Sequence, residues 1–495
     1  MNFFRRVYKG RLQVPCIGHE LLTTVNYIPI NMSKLDPIKK WLFRPFPVML
    51  SGISLLAGCS AGIQEKNNEE MPNVLLIMTD QLRADFLGTY GDVTVKTPVI
   101  DDLARTGVKF NNCFTQLPSC SPARAVIFTG RYPRANGVWS NGVPLPKDEL
   151  TISQFLLEQG YETGGFGKFH FLPHYQSELP SMKTHEGPFY GFKEFQMGED
   201  MRRGVHQEWL EENYPEYADK ADSELPLELH NTQWATDLTI DFIKKCEHKN
   251  KNFFVFCSYV DPHHLYDPPP PYSEMYDPRE LPEPVRNERE IQGMPEYMKQ
   301  DFQGGRFEEL NENWRELRAG YYGEISFIDD NIGRLLQTLT DLNIRENTLV
   351  IFISDHGDLL GDHWLWYKGK PHYTASIKVP FIVNWPGHIK EGKVVNGIVQ
   401  QTDVFPTVSE LLGLDIPVGV QGKSLTQVLT TDSEDTGYEY AYIELDSRGA
   451  VDPEGHWNEE NYEQTLESFQ GPAPYTLRSL KWRYTYYPGY DFGEL

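Results

Sequence analysis

Apolar residues in this chain come in short unbroken runs separated by longer helical or polar stretches. Asn73 to Thr79 (NVLLIMT), Phe253 to Val260 and Thr348 to Ile353 are continuous runs of strand length. Such runs mark strands buried on both faces. Phe381 to Asn384 is a shorter run, and Val108 to Phe114 reads as extended. Helical patterns lie between them: Pro98 to Arg105, Thr151 to Glu158 capped by Thr151, Asn311 to Leu342 interrupted at Gly320 and Gly323, and Val404 to Leu412. Strands alternating with helices predict an α/β fold: a large, mostly parallel central sheet flanked by helices. Ligands in such sheets bind where strands end and loops begin.

Residues 174–230, polar and aromatic, break the alternation, as do residues 266–310 with the run Pro268 to Pro271. Both read as long loops over a site, or as an insertion. Beyond Pro417 the pattern changes again. Tyr438 to Leu445, Tyr475 to Leu480 and Trp482 to Tyr487 predict a small antiparallel sheet. The expected organisation is a leader over 1–58, a tether over 59–72, an α/β domain over 73–416 and a smaller C-terminal subdomain over 417–495. No internal repeat is visible.

The N-terminal segment changes the compartment. Lys34, Lys39, Lys40 and Arg44 precede the apolar run Pro45 to Ala57, too short to span a bilayer. The run ends Leu56-Ala57-Gly58-Cys59, which resembles the lipobox of exported bacterial lipoproteins, cleaved before a lipidated Cys. An apolar anchor helix or a buried strand would be the plainer reading. Met32 opens a conventional signal peptide of its own, and Ser60 to Glu70 is polar enough for a tether. This reading places the protein in the periplasm or on the outer membrane, with Cys59 its only membrane attachment.

Composition narrows the partners. Net charge is −24, from 46 basic and 70 acidic residues, which argues against general nucleic-acid binding. The six cysteines are Cys16, Cys59, Cys113, Cys120, Cys246 and Cys257, and they make no disulfide framework. Cys246 and Cys257 either pair or stand as two separate buried thiols.

Candidate chemistry sits at the strand ends. The first buried strand runs into Thr79-Asp80-Gln81, and a later one into Ser354-Asp355-His356-Gly357-Asp358. Each Asp alone could be a helix cap. Together, each after a buried strand, they suit a hard divalent cation. Cys120-Ser121-Pro122-Ala123-Arg124 runs on to Phe128-Thr129-Gly130-Arg131. Pro122 predicts a helix start, and Arg124 lies about one turn from Cys120, close enough to stabilise an oxyanion there. Taken alone, these five residues also describe a buried Cys before a helix with Arg124 on the surface.

The run C-x-P-x-R followed by T-G-R resembles the signature of the formylglycine-dependent sulfatases, of the alkaline phosphatase-like superfamily. Four further segments resemble that family in its order: Asp80-Gln81 with Asp355-His356-Gly357; Gly160-Tyr161-Glu162-Thr163 with Gly167-Lys168-Phe169-His170, where Phe169 replaces a Trp; Asp261-Pro262-His263-His264; and Lys368-Gly369-Lys370-Pro371-His372-Tyr373 with Val379-Pro380. The resemblance spans Asn73 to about Pro380. It implies a sulfuric ester hydrolase with one calcium held by Asp80, Gln81, Asp355, His356 and residue 120. Gln81 stands where the family has a second Asp, with one charge fewer.

The resemblance also implies that a maturation enzyme oxidises Cys120 to Cα-formylglycine. One hydroxyl of its hydrate attacks sulfur, with Asp355 as base. Arg124, Lys168 and Lys368 belong to the implied catalytic set. His263 protonates the leaving alcohol and His170 drives release of sulfate. Lys368 holds the sulfate, although neighbouring Lys370 could be misaligned with it. His264 and His372 are the implied substrate contacts. The expected substrate is a sulfated saccharide. A phosphonate or phosphate ester hydrolase of the same superfamily and a non-catalytic glycan-binding lipoprotein are the competing readings. Relatives are expected to continue beyond Gly493-Glu494-Leu495, which would make this chain a truncated one.

Overall fold

The computed structural model describes residues 71–172, 185–199, 203–293, 307–368, 372–444, 474–488 and 493–494. The proposed leader and lipobox, Cys16, Cys59 and Lys370 lie outside these residues.

A ten-stranded sheet forms the centre. Its strands are β1 (Asn73–Thr79), β2 (Val108–Phe114), β3 (Glu162–Gly167), β4 (Glu194–Glu199), β5 (Arg203–Gly204), β6 (Phe253–Ser258), β7 (Thr348–Ser354), β8 (Lys378–Val379), β9 (Phe381–Asn384) and β10 (Lys393–Gln400). The order is β10-β2-β9-β7-β1-β6-β3-β4-β5, with β8 paired to β2. The run β7-β1-β6-β3-β4 is parallel throughout. β9 is antiparallel to both its neighbours, so β2 again points the same way as β7. The expected α/β class therefore holds.

The unbroken apolar runs have a direct cause. Alternate side chains of a strand face opposite sides. Leu75 and Ile77 of β1 enter one apolar cluster, whereas Val74, Leu76 and Met78 enter another across the sheet. Each face is sealed by helices, so neither set can be polar.

Several elements differ from expectation. The helix foreseen over 311–342 is one continuous helix, Trp314–Asp341, preceded by a short turn at Glu308–Glu312. Gly320 and Gly323 do not interrupt it. A Cβ on Gly320 would lie 2.1 Å from the Tyr266 carbonyl oxygen, and one on Gly323 would lie 2.5 Å from that of Tyr272. These glycines let the 266–272 loop press against the helix backbone. The polar stretch 174–230 is not all loop, since it holds β4, β5 and helix Val205–Asn213. β10 and helix Asn231–His248 carried no signal strong enough to be read from the sequence. Thr151 does cap its helix, accepting the Gln154 N–H at 3.1 Å. Cys246 and Cys257 are two separate buried thiols, held up at about 12 and about 11 by burial.

A second sheet is antiparallel: β11 (Ala441–Glu444), β12 (Tyr475–Arg478), β13 (Arg483–Tyr486) and β14 (Gly493–Glu494). It docks at the carboxyl end of β2. Ala441 and Ile443 pack with Phe114, Ile377 and Ile398. The Glu444 N–H donates to the Gln116 carbonyl at 2.9 Å.

Candidate active site

Parallel strands aim their carboxyl ends at one edge, and the site assembles there. Thr79 and Ser354 are register partners, so Asp80 and Asp355 leave the sheet side by side. Gly167 pairs with Ser258, so Lys168 emerges from the adjacent position, and its N–H donates to the Ser258 carbonyl at 3.1 Å. Helix Cys120–Thr129 approaches the same edge after β2, and all ten of its residues are buried. It begins at Cys120, two residues before Pro122. A Pro in the first turn costs nothing, because those N–H groups have no intrahelical partner. Cys120 thus stands at the positive end of a helix dipole, which favours an anion.

The Cys120 thiol is a convergence point. Lys368 Nζ donates to its Sγ at 2.7 Å and Lys168 Nζ at 3.7 Å. His356 Nε2 lies 3.3 Å away, Asp80 Oδ1 3.7 Å away, and His170 also hydrogen-bonds it. Burial pushes the thiol up, but Lys168, Lys368 and His356 outweigh it and hold it well below the ordinary thiol range. The site is built to hold a negative charge at residue 120.

Two buried carboxylates stand beside it. Burial and the neighbouring thiolate push the Asp80 carboxyl up, but Lys168 at 2.5 Å and Lys368 at 3.9 Å hold it below the usual range. Burial and the facing Asp80 raise Asp355. Asp355 Oδ1 accepts the N–H groups of Gln81 at 3.0 Å and His356 at 2.8 Å. Asp80, Cys120, Asp355 and His356 each offer a ligand atom within 4.8 Å of the others, all buried. His356 Nδ1 bonds the Gly357 carbonyl at 2.9 Å, which orients Nε2 inward as metal-binding histidines require.

Gln81 has φ 68, a left-handed conformation rare outside glycine. The Tyr321 hydroxyl donates to its carbonyl at 2.7 Å. Its amide nitrogen donates to Asp358 Oδ2 and lies 3.3 Å from His264 Nδ1. Its Oε1 is buried with no protein partner. An orphaned amide oxygen next to two carboxylates is what a hard cation would satisfy, so the donor set fits a divalent metal.

Arg124 departs from expectation. It does lie one turn below Cys120, but its guanidinium serves the strand ends. Nε donates to Asp355 Oδ2 at 3.0 Å, one terminal nitrogen to Asp80 Oδ2 at 3.1 Å, and the other to the Lys168 carbonyl at 2.5 Å and Ser258 Oγ at 2.8 Å. It holds both carboxylates, and its charge also bears on Cys120. His170 also differs: at φ 53 it leaves the extended path expected beyond Lys168, yet both side chains reach Cys120. The Glu199 carboxylate holds that turn, accepting the N–H groups of Phe169 at 3.2 Å and His170 at 2.9 Å.

His263 lies at the rim, stacked on His264 with centroids 4.0 Å apart. His263 Nδ1 bonds the His264 carbonyl at 2.9 Å. His264 also packs on Tyr367 at 4.2 Å, so its ring supports Gln81 from the side. His372, expected at the substrate, is instead fully enclosed, with Nδ1 bonded to Thr476 Oγ1 at 2.8 Å. Glu199, Asp358 and Tyr321 were missed by sequence reasoning. Only Asp358, inside the Asp-His-Gly-Asp run, carried a local signal.

Comparison with known proteins gives the family. The sulfatase family profile matches residues 72–414. An arylsulfatase of Clostridium perfringens is 32% identical over 387 residues, covering 72% of this chain and 78% of that protein. An ulvan-active sulfatase of Formosa agariphila is 29% identical over 372 residues, covering 74% of this chain and 66% of that protein. Among solved structures, a phosphonate monoester hydrolase of Agrobacterium radiobacter superposes with a TM-score of 0.70 at 26% identity, covering 84% of this chain and 88% of that one. The profile covers more than half of the chain, and the chain belongs to the sulfatases, hydrolases of sulfuric esters.

Proposed function

We propose that the protein removes sulfate from a sulfated glycan, using a formylglycine made from Cys120 and one bound calcium. The observation that carries this reading is the buried Cys120 at a helix N-terminus, contacted at once by Lys168, Lys368, His170 and His356. The glycan rests on the ulvan-active relative. Hydrated formylglycine supplies one hydroxyl for attack on sulfur and a second whose deprotonation expels sulfate. Calcium held by Asp80, Gln81, Asp355 and His356 supplies Lewis acidity toward the sulfate.

The chain's own residues do the remainder. Lys368 and Lys168 neutralise and orient the sulfate. Asp355, its carboxyl raised by burial and by Asp80, is suited to take a proton at the attacking hydroxyl. His263 Nε2 gives a proton to the departing alcohol, because Nδ1 is committed to the His264 carbonyl. His170 takes a proton at residue 120 in the second step. Lys370 lies outside the described residues and is assigned no role.

A phosphonate ester is the second reading, favoured by the superposition on a phosphonate monoester hydrolase. Protein produced with a maturation enzyme separates them. Residue 120 should show the mass of an aldehyde, chelation should abolish turnover, and kcat/KM should be higher for nitrophenyl sulfate than for a phenylphosphonate ester. Full activity with an unmodified Cys120, or after exhaustive chelation, overturns the mechanism. A preference for the phosphonate overturns the substrate class. We further propose that the chain is exported and anchored by a lipid on Cys59.

A further inference from the structure

Lys368 reaches Cys120 at the end of a strained turn. The chain leaves β7 through Asp355 and His356, swings out over residues 359–367 and folds back on itself. The Leu359 N–H donates to the Tyr367 carbonyl and the Gly361 N–H to the Leu365 carbonyl, both at 2.8 Å. Asp358 Oδ1 accepts the N–H groups of Leu360 at 2.8 Å and Tyr367 at 2.9 Å, so the turn closes on the carboxylate it started from. Lys368 is the next residue, and its Nζ lies 2.7 Å from Cys120 Sγ. Four residues of the turn are left-handed without being glycine: Leu360 at φ 44, His363 at φ 56, Trp364 at φ 65 and Tyr367 at φ 66. Such a backbone persists only where its surroundings over-determine it.

Those surroundings are charged. Three consecutive carbonyls, of Leu359, Leu360 and Gly361, accept from three arginines: Arg83 at 3.3 Å, Arg318 at 3.0 Å and Arg286 at 2.8 Å. Asp362 comes next and ties two of the three together, pairing with Arg83 at 2.9 Å and with Arg318 at 2.8 Å. All three members of that triad are buried. Asp362 also accepts the Val285 N–H at 2.9 Å. Arg286 lies 4.7 Å over the Trp364 ring and donates to Asn311, whose amide holds the Trp364 carbonyl at 3.1 Å. Buried ion pairs add little net stability over apolar packing of the same volume, so what this grouping contributes is geometry. The arginines arrive from three places: just beyond β1, the 266–310 stretch and helix Trp314–Asp341. What they fix together is the turn, and both ends of the turn enter the site. Asp358 accepts the Gln81 amide, and Lys368 touches Cys120.

We infer that Asp362 and Arg286 are positioning residues, which pin the 359–367 turn so that it delivers Lys368 to residue 120. This rests on the role given above to Lys368, neutralising and orienting the sulfate. Asp362→Asn, Arg286→Met, Lys368→Met and each of the first two combined with Lys368→Met would be compared on nitrophenyl sulfate, per formylglycine found at residue 120. Lys368→Met should lower kcat/KM by about 10²-fold, and each of the other single variants by about tenfold. Each double variant should match Lys368→Met within about twofold, because a residue that acts through Lys368 has nothing left to lose once Lys368 is gone. KM should rise in Asp362→Asn and in Arg286→Met. A clamp that merely stabilised the fold would lower kcat through a lost active fraction and leave KM alone.

Multiplicative losses in the double variants, or losses confined to kcat, overturn the assignment. Should Asp362→Asn fail to fold, Arg286→Met decides, since Arg286 is half-buried and its loss leaves the Asp362 triad in place. A wild-type chain that turns over a phenylphosphonate ester instead fails the sulfatase reading, and the same cycle on that ester still tests the clamp. For a chain that turns over neither, the cycle is read from dissociation constants of inorganic sulfate by calorimetry, with the same non-additivity expected. A chain that binds no sulfate overturns both.

Discussion

At the scale of single residues, the site is a balance of buried charges, and Arg124 is its keystone. Three of its nitrogens reach Asp80, Asp355, Ser258 and the Lys168 carbonyl. Arg124→Met would strand two carboxylates in a dry interior. Urea denaturation should show a loss of about 3–5 kcal/mol, as for other broken buried pairs. The two histidines should separate kinetically. His263→Ala should slow a sugar sulfate by about 10²–10⁴-fold, the usual worth of a general acid, and nitrophenyl sulfate far less. His170→Ala should give a burst of one nitrophenol per chain and then stall. His372 gives a pH signature. Burial, then Arg483, holds it at about 3, against 6.5 for an ordinary histidine, so unfolding takes up a proton between those limits. Stability through this group should fall as pH drops from about 6.5 toward 3. His372→Gln, which can keep the Thr476 bond, should show a smaller fall on acid titration. Residues that meet at the candidate site were legible where their spacing is local, as in Cys120 to Arg124 or Lys168 to His170. Distant residues that hold them were not. Glu199 lies 29 positions from His170 and Tyr321 lies 240 from Gln81, and no sequence pattern links such pairs.

At the scale of elements, buried strands announced themselves because both faces of the sheet are sealed. β10 did not, since its outer residues alternate with polar ones and its pairing with β2 shifts register between Val395 and Ile398. The long helix Trp314–Asp341 shows how composition misleads. Its glycines read as breaks but serve as contact points. Gly320 admits the Tyr266 carbonyl, and Tyr321 beside it holds the Gln81 carbonyl. The Tyr266 hydroxyl in turn bonds Asp358 at 2.5 Å, and Asp358 accepts the Gln81 amide. Gly320→Ala should therefore cost about 1–3 kcal/mol from overpacking, even though alanine is the better helix former. It should also weaken metal binding, read as a smaller calcium-dependent rise in melting temperature. A stabilised variant with unchanged metal response would show that the loop yields without disturbing Gln81.

At the scale of the whole molecule, the catalytic centre sits on one sheet edge and the small sheet closes over the same edge. The C-terminal strands could be foreseen as a separate antiparallel group from their short extended runs, whereas their docking at the end of β2 could not, because register and docking exist only in three dimensions. Attachment to a membrane is a separate matter. Cys59→Ser should release the protein from a membrane fraction into the soluble one, and an unchanged distribution would refute the lipid anchor. On the proposed maturation of Cys120, its burial would set an order of events in time. The residue is 1% exposed, roofed by Lys168, Lys368 and His356, on a helix with no exposed residue. An enzyme that oxidised Cys120, as the proposed mechanism requires, would find it closed off in the finished fold. The opportunity would last only while the chain is still unfolded. A copy that folded first would keep its thiol and stay idle, so the active fraction of a preparation would record a race between maturation and folding.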